Sequence, residues 1–239
     1  MANFTSVAKT AAIILAGGQG TRLRSIVTDR QKVVATVAEQ PFLSYLLQQL
    51  QQVDMREIIL ACGHLSETVR QALSSFPELK YSEESEPLGT GGALLQALQQ
   101  TEAESVLVMN GDSFLNLSLK LFLQWFDHQS APAAMVLTKT ADVARYGQVS
   151  RQGDWIHAFH EKKACARPGW INAGIYCFHR NLLEDLPWKG NFSLERDLFP
   201  VLAARKQLAG FPYEGYFIDI GTPETWQQAQ EYFASFDNN

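Results

Sequence analysis

Short apolar runs alternate with segments of helical spacing through the first half of the chain. Residues 11–15 and 57–62 are almost entirely apolar, which is typical of short strands buried on both faces of a sheet. Residues 42–53 and 66–76 place their large apolar side chains three or four positions apart, which is typical of amphipathic helices. The same alternation predicts further elements: strands at 79–82 and 105–109, and a helix at 93–98.

This alternation predicts an α/β fold, with three α/β/α layers and a mostly parallel central sheet. The second half of the chain is less regular but continues in the same style. It contains four predicted strands, a helix with Ser193 as its N-cap, another strand and a closing helix from Pro223: 134–139, 146–150, 155–160, 171–178, 194–204, 217–220 and 223 onward. Because no repeat or linker interrupts the pattern, we expect a single domain over residues 1–239.

Composition narrows the classes of partner. A net charge of -5 without a basic run disfavours binding to nucleic acid. No apolar run approaches the roughly 18 residues of a membrane span, and the apolar stretch after Lys9 is too short for a signal peptide. The three cysteines (Cys62, Cys165, Cys177) lack metal or redox spacing. We therefore expect a cytoplasmic protein that binds neither nucleic acid nor membrane and uses its cysteines as core residues.

The most informative segment follows the first predicted strand. It reads Leu15-Ala16-Gly17-Gly18-Gln19-Gly20-Thr21-Arg22-Leu23. Glycines let backbone N–H groups approach a phosphate, and the start of a helix favours an anion. Arg22 adds a forked, permanently charged donor for phosphate oxygens. A dinucleotide fingerprint would need glycine at Leu23, and a P-loop would need Gly-Lys-Ser/Thr. The alternative is a tight strand-to-helix turn without a ligand.

Two aspartates follow or end predicted strands. Asp112 comes directly after Asn110-Gly111, and Asp219 lies in the strand predicted over 217–220. Ligands of such sheets bind beyond the carboxyl ends of the strands. A hard oxygen set with few carboxylates, completed by water and phosphate, suits Mg²⁺. The alternative for either aspartate alone is that it caps a turn.

Together these motifs resemble the sugar-1-phosphate nucleotidyltransferase family over about residues 11–226. The resemblance implies a Rossmann-like, GT-A-like fold with a nucleotide-binding half (about 8–130) and a sugar-binding half (about 131–239). It implies transfer of a nucleotidyl group from a nucleoside triphosphate to a sugar 1-phosphate, with release of pyrophosphate. Expected partners are those two substrates, with Mg²⁺ as cofactor, and a homo-oligomer is left open. The implied nucleotide-binding residues are Leu15, Ala16, Gly17, Gly18, Gly20, Thr21, Glu86, Pro87, Gly89, Thr90 and Gly111.

The resemblance also assigns the remaining site residues. Asp112 and Asp219 match magnesium ligands, and Asp112 is counted with three cations as catalytic: Arg22, Lys32 and Lys162. Arg22 is expected to bind the triphosphate and Lys162 the sugar phosphate. The implied sugar-binding residues are Gly147, Glu161, Asn172 and Thr222. One departure concerns Lys32, whose neighbours are Gln31 and Val33 where relatives have Pro on both sides.

Four motifs resemble those of one subgroup of this family, and this resemblance implies GTP and a manno-configured heptose 1-phosphate as substrates. They are Glu86 to Ala93 (EPLGTGGA), 145–149 (RYGQV), 171–176 (INAGIY) and 193–200 (SLERDLFP). Alternatives are a uridylyl- or thymidylyltransferase acting on a hexose 1-phosphate, and a regulator that binds sugar nucleotides without catalysis. A nucleotide-binding oxidoreductase is disfavoured by the missing third glycine at Leu23.

Overall fold

Thirteen strands and seven α-helices are present in the computed structural model, which describes residues 7–17, 32–63, 66–143, 146–160, 167–188 and 190–235. The strands are β1 (Thr10–Leu15), β2 (Thr36–Val37), β3 (Gln40–Pro41), β4 (Ile58–Cys62), β5 (Lys80–Glu83), β6 (Ser105–Asn110), β7 (Ser113–Leu115), β8 (Ala133–Thr140), β9 (Gln148–Gln152), β10 (Trp155–His160), β11 (Gly169–His179), β12 (Leu208–Pro212) and β13 (Phe217–Asp219). The α-helices are α1 (Phe42–Gln51), α2 (Ser66–Ala72), α3 (Gly89–Leu98), α4 (Leu119–Asp127), α5 (Arg180–Glu184), α6 (Phe199–Ala204) and α7 (Pro223–Ala234). Short 3₁₀ turns cover Val7–Lys9 and Lys32–Val34, and a π-helical turn covers Leu194–Leu198.

Nine of these strands form one sheet in the order β5-β4-β1-β6-β11-β8-β12-β10-β9. The α/β class is confirmed. The first four strands of this order are mutually parallel, as expected for alternating strands and helices. The later part is mixed, because β11 runs antiparallel to both β6 and β8, while β12 is parallel to β8 and antiparallel to β10. Hydrophobic periodicity identifies a strand but not its direction, so sequence alone could not predict this mixture.

The sheet is buried on both faces. Along β1, Ala12 and Ile14 pack into one hydrophobic cluster, whereas Ala11 and Ile13 pack into another. Residues from α1, α2, α4 and α7 join the first cluster, and residues from α3, α5 and α6 join the second. This arrangement explains why β1 is an apolar run without alternation, since each face of the strand lies under a helical layer.

Several predicted elements differ from those observed. The helix predicted at 93–98 begins earlier, at Gly89, so the glycines of the Glu86 to Ala93 motif (the second glycine segment) lie in its first turn. Helix α4 and strand β12 were not predicted, although Leu119, Phe122, Leu123 and Phe126 of α4 have clear helical spacing and are buried. The predicted 194–204 helix is a π-helical turn followed by α6, and the N-cap at Ser193 is confirmed.

The two described cysteines are free and buried, as predicted. Burial raises the pKa of the Cys62 thiol to about 12 and raises that of Cys177 as well. Both thiols are therefore protonated core groups. Cys165 lies outside the described residues. Within the described ranges, the helices are all too short or too polar to cross a bilayer.

Two glycines with positive φ give a matched test of packing at the start of α3. A Cβ added at Gly89 (φ +68°) would lie 2.5 Å from the carbonyl oxygen of Phe192, whereas one added at Gly153 (φ +56°) would meet nothing within 4 Å. Gly153→Ala should lower the free energy of unfolding by roughly 1–2 kcal/mol, the cost of left-handed backbone. Gly89→Ala should lower it by roughly 1–3 kcal/mol more, because the added Cβ would be overpacked against the Phe192 backbone. Urea denaturation of both variants measures the difference, and equal losses would contradict the close approach.

Candidate functional site

A cavity of about 220 Å³ lies beyond the carboxyl end of β6. Its lining includes five residues that the sequence predicted and one that it did not, Glu195: Lys32, Asp112, Gly147, Asn172, Glu195 and Asp219. The predicted residues come from segments that are far apart in the chain. The fold therefore brings together the described part of the predicted metal site and sugar site.

A short antiparallel pair of strands sets the two aspartates side by side. Strand β13 pairs with β7 so that Asp219 lies opposite Ser113, the residue directly after Asp112. The backbone N–H of Ile220 donates to the carbonyl oxygen of Asp112 at 2.9 Å. This pairing fixes the backbone of both acidic residues at the same edge of the fold.

Lys32 forms an ion pair with the first aspartate. Its Nζ lies 2.6 Å from Oδ2 of Asp112, and the Lys32 side chain is 14% exposed. The lysine opens a 3₁₀ turn whose other two residues, Val33 and Val34, are buried. Relatives have proline on both sides of this lysine, and this chain does not. The buried valines nevertheless anchor the backbone of Lys32, and Asp112 orients its ammonium group.

Asp219 is held from two directions. The Tyr146 hydroxyl donates to Asp219 Oδ2 at 2.7 Å, and the Gly221 N–H donates to Oδ1 at 2.8 Å. A Cβ at Gly221 would collide with Oδ1, so a side chain there would displace the carboxylate. Among the described residues, no group of three or more His, Cys, Asp or Glu side chains could hold a metal ion. A cation here would take its few protein ligands from these two aspartates.

A buried tyrosine connects residues at the edge of the predicted metal site with the predicted sugar site. The Tyr176 hydroxyl accepts hydrogen bonds from Nδ2 of Asn172 at 2.8 Å and from Nδ2 of Asn110 at 3.3 Å. Oδ1 of Asn172 accepts from the N–H of Gly174 at 2.8 Å, so both ends of this amide are fixed. Burial raises the pKa of the Tyr176 hydroxyl well above its usual range. The tyrosine is therefore neutral and serves as a fixed hydrogen-bonding centre.

The second glycine segment packs against the chain that leads into the π-helical turn. The N–H of Gly91 donates to the carbonyl oxygen of Phe192, and a Cβ at Gly91 would collide with the Phe192 ring. The Thr90 hydroxyl donates to Oε2 of Glu195 at 2.8 Å and accepts from the N–H of Leu194 at 2.9 Å. Thr90, predicted to bind nucleotide, thus also holds a carboxylate of the cavity.

Glu84 packs against Gly17 of the glycine segment that follows β1, and the sequence pattern did not single it out. Its Oε2 accepts from the N–H of Leu88 at 2.8 Å. A Cβ added at Gly17 would lie 2.9 Å from its Oε1, so the carboxylate packs directly on the Gly17 backbone. Partial burial raises the pKa of Glu84, and the Leu88 hydrogen bond opposes that shift. The hint in the sequence was its place directly after β5, at the same sheet edge as the glycine segment.

The other predicted residues divide into three groups. Leu15 and Gly111 meet at the site, where the Gly111 N–H donates to the Leu15 carbonyl at 3.0 Å, and the Ala16 N–H donates to Ala61. Glu86 and Pro87 are exposed, and the Thr222 hydroxyl accepts from the N–H of Thr225 as the N-cap of α7. The remaining predictions lie outside the described residues: Gly18, Gly20, Thr21, Arg22, Glu161 and Lys162.

Comparison with known proteins identifies the family. The family model described as nucleotidyl transferase matches residues 11–235. The chain belongs to this family. The matched range includes both aspartates and the glycine segment.

Two curated proteins and one solved structure are similar to this chain over most of its length. The chain is 33% identical over 223 residues to D-glycero-alpha-D-manno-heptose 1-phosphate guanylyltransferase of Aneurinibacillus thermoaerophilus, which covers 92% of this chain and 96% of the relative. It is 30% identical over 220 residues to mannose-1-phosphate guanylyltransferase of Mycobacterium tuberculosis, covering 89% and 61%. A solved structure of HddC from Yersinia pseudotuberculosis complexed with GMP-PN has a TM-score of 0.81 and 31% identity, covering 93% and 99%.

The buried tyrosine in this nucleotidyl transferase site yields a stability prediction. Tyr176→Phe removes the acceptor shared by Asn110 and Asn172 while it keeps the ring. Leaving these partly buried amide donors without an acceptor should lower the free energy of unfolding by roughly 1–3 kcal/mol. Tyr216→Phe, at a ring that is 37% exposed, is the control and should change the unfolding free energy little. Similar losses in the two variants, measured by chemical denaturation, would argue against the shared hydrogen bonds.

Proposed function

We propose that this chain transfers the guanylyl group of GTP to a sugar 1-phosphate, with D-glycero-α-D-manno-heptose 1-phosphate as the preferred acceptor. The products are a GDP-sugar and pyrophosphate. The observation that carries the proposal is the constellation of Lys32, Asp112 and Asp219 beside the sugar-side cavity, in a chain of the nucleotidyl transferase family. The match to the nucleotidyl transferase family also argues against the alternative of a nucleotide-binding oxidoreductase.

The chemistry requires charge neutralisation more than proton transfer. An oxygen of the sugar phosphate attacks the α-phosphorus of the nucleotide in line, and the bond to the pyrophosphate oxygen breaks. A phosphate monoester has a second pKa near 6, so the nucleophile is largely dianionic at neutral pH and needs no general base. The obstacles are repulsion between anions and their orientation, which fixed cations reduce. Lys32 is the described cation that serves this role; Arg22 and Lys162 remain predictions for the triphosphate and the sugar phosphate.

The two aspartates suit a magnesium ion. Asp219 offers its carboxylate oxygens from β13 and Asp112 from the turn before β7, and phosphate and water would complete a set of hard oxygen ligands. Bound there, Mg²⁺ would supply positive charge for the phosphate oxygens. Tyr146 and Gly221 orient Asp219, and Lys32 orients Asp112, so both carboxylates are positioned before a cation binds.

Glu84 supports the choice of guanine. Guanine presents a ring N–H and an exocyclic amine, which require acceptors. The carbonyl oxygens of Leu15, Pro87 and Leu88 already accept hydrogen bonds from other parts of the chain. Oε1 of Glu84 has no such partner in the described part of the chain and lies against Gly17, the first glycine of the segment that follows β1. This assignment places the base acceptor at Glu84 rather than at the exposed Glu86.

The preference for a heptose phosphate rests on the relatives. The two curated relatives described above are both named guanylyltransferases, and they differ in the sugar named. The heptose 1-phosphate enzyme is covered over 96% of its length and the mannose 1-phosphate enzyme over 61%. This difference in coverage favours the heptose substrate.

The experiment that tests the proposal is pyrophosphate release from a matrix of substrates. GTP, UTP, dTTP and CTP are each combined with the heptose, mannose and glucose 1-phosphates, and kcat/KM is measured for every pair. The highest value is expected for GTP with the heptose 1-phosphate. The highest kcat/KM for UTP or dTTP with glucose 1-phosphate would contradict the assignment of GTP and heptose 1-phosphate. No pyrophosphate release with any pair would favour the non-catalytic regulator.

The metal assignment predicts the effect of a single carboxylate. Asp112→Asn should lower kcat/KM by about two orders of magnitude or more, the scale for losing a main electrostatic stabiliser. Excess chelator should abolish turnover of the unaltered protein, and added Mg²⁺ should restore it. Asp154→Asn, at an exposed hairpin position, is the control. Near-normal turnover of Asp112→Asn, or of the unaltered protein in chelator, would contradict the assignment of Asp112 as a magnesium ligand.

The base assignment predicts a change of nucleotide preference. Glu84→Gln keeps the size of the side chain but replaces one acceptor oxygen by a donor, which opposes the guanine amine. We expect kcat/KM for GTP to fall roughly ten- to hundredfold, while the values for UTP and dTTP change less. The exposed neighbour variant Glu86→Gln is the matched control and should retain the preference. If Glu86→Gln shifts the preference and Glu84→Gln does not, Glu86 is the base acceptor.

A further inference from the structure

Glu195 is placed in the cavity by an unusual turn of the chain. It lies in the π-helical turn Leu194–Leu198, whose two end residues are buried. The N–H of Ser193 donates to Oδ2 of Asp197 at 2.7 Å, which fixes the start of the turn. Single π-helical turns are rare and occur frequently at functional sites, because the widened turn re-aims a side chain. Here the re-aimed side chain is a carboxylate that lines the same cavity as Asn172.

The carboxylate is held through only one of its oxygens. The hydroxyls of Thr90 and Ser193 donate to Oε2 at 2.8 and 2.9 Å. The backbone N–H of Leu194 in turn donates to the Thr90 hydroxyl, so the Thr90 donor is itself oriented. Oε1 accepts no hydrogen bond from any described residue. The arrangement fixes the position of the carboxylate and leaves one acceptor available in the cavity.

Asn172 provides the complementary donor. Its Oδ1 is used by the Gly174 N–H, and one hydrogen of its Nδ2 is used by the Tyr176 hydroxyl. An amide nitrogen carries two hydrogens, so a second donor remains. Burial is the largest cause of the raised pKa of Tyr176, and the negative charge of Glu195 adds to it, which places the Glu195 charge close to this network. The cavity thus combines an oriented acceptor with an oriented donor.

A sugar hydroxyl has the chemistry that this pair recognises, because it donates one hydrogen bond and accepts another. A phosphate group does not, since it would face the charge of Glu195 without a hydrogen to donate. We propose that Glu195 is a sugar-specificity residue that accepts a hydrogen bond from one ring or side-chain hydroxyl of the sugar 1-phosphate, beside the N–H donor of Asn172. The inference rests on the proposed function and assigns the acceptor that fixes its sugar substrate.

The test pairs a residue change with the removal of single substrate hydroxyls. Glu195→Gln keeps the shape of the side chain, and the substrates are mannose 1-phosphate and its 2-, 3-, 4- and 6-deoxy analogues with saturating GTP. With the parent sugar, KM for the sugar phosphate should rise roughly ten- to hundredfold, the range for a hydrogen bond to a charged group, while KM for GTP stays unchanged. For the one analogue that lacks the recognised hydroxyl, the unaltered protein and Glu195→Gln should have KM values within about threefold of each other.

A second variant and a binding measurement separate the possible failures. Glu104→Gln changes an exposed glutamate that pairs with Lys9 at the opposite end of the sheet, and it should leave both KM values unchanged. Calorimetry with mannose 1-phosphate measures sugar binding without turnover and should show the same loss for Glu195→Gln. Equal loss on every deoxy analogue, or a loss in GTP kinetics alone, overturns the role of Glu195. The proposed function fails instead if the unaltered protein neither binds nor converts any sugar 1-phosphate, and the Glu195 assignment then fails with it.

Discussion

Asp112 and Asp219 are separated by most of the second half of the chain, and the antiparallel pairing of β7 with β13 brings them to one edge of the fold. Two neighbouring carboxylates repel each other, so the arrangement requires compensating donors and cations. Lys32 provides a positive charge at 2.6 Å from Asp112, while Tyr146 and Gly221 donate to Asp219. A divalent cation and the substrate phosphates would therefore meet two carboxylates whose orientation is already fixed by these contacts.

The side of the cavity that contains Tyr176 and Glu195 is organised by a network of hydrogen bonds. Tyr176 is fully buried and fixes two amide side chains, and the Thr90 and Ser193 hydroxyls fix one oxygen of Glu195. Donors and acceptors that are held in place lose little conformational entropy when a ligand binds. Within one cavity, the anionic phosphates would be recognised by electrostatic attraction and the sugar hydroxyls by oriented hydrogen bonds.

The sequence predicted the parts of this site that depend on a short local pattern. Asp112 follows an apolar run, and a glycine segment follows β1, so the order of residues alone places both at the carboxyl edge of the sheet. Glu84 and Glu195 were missed for a physical reason. Their roles depend on contacts with Gly17 and Thr90, which are distant in the chain, and neither contact leaves a local signal. The directions of β11 and its neighbours were equally invisible, because alternation of apolar residues is the same in both directions.

The pairing of β6 with β11 has a mechanical consequence. Five residue pairs, from Ile175 opposite Met109 to His179 opposite Ser105, join the strand that leads to Asp112 to the strand that carries Asn172. Rotating one half of the protein against the other would break this hydrogen-bonded ladder in the middle of the sheet. Neighbouring strands lie about 4.8 Å apart, so backbone geometry fixes the separation of the strand that leads to Asp112 from the strand that carries Asn172.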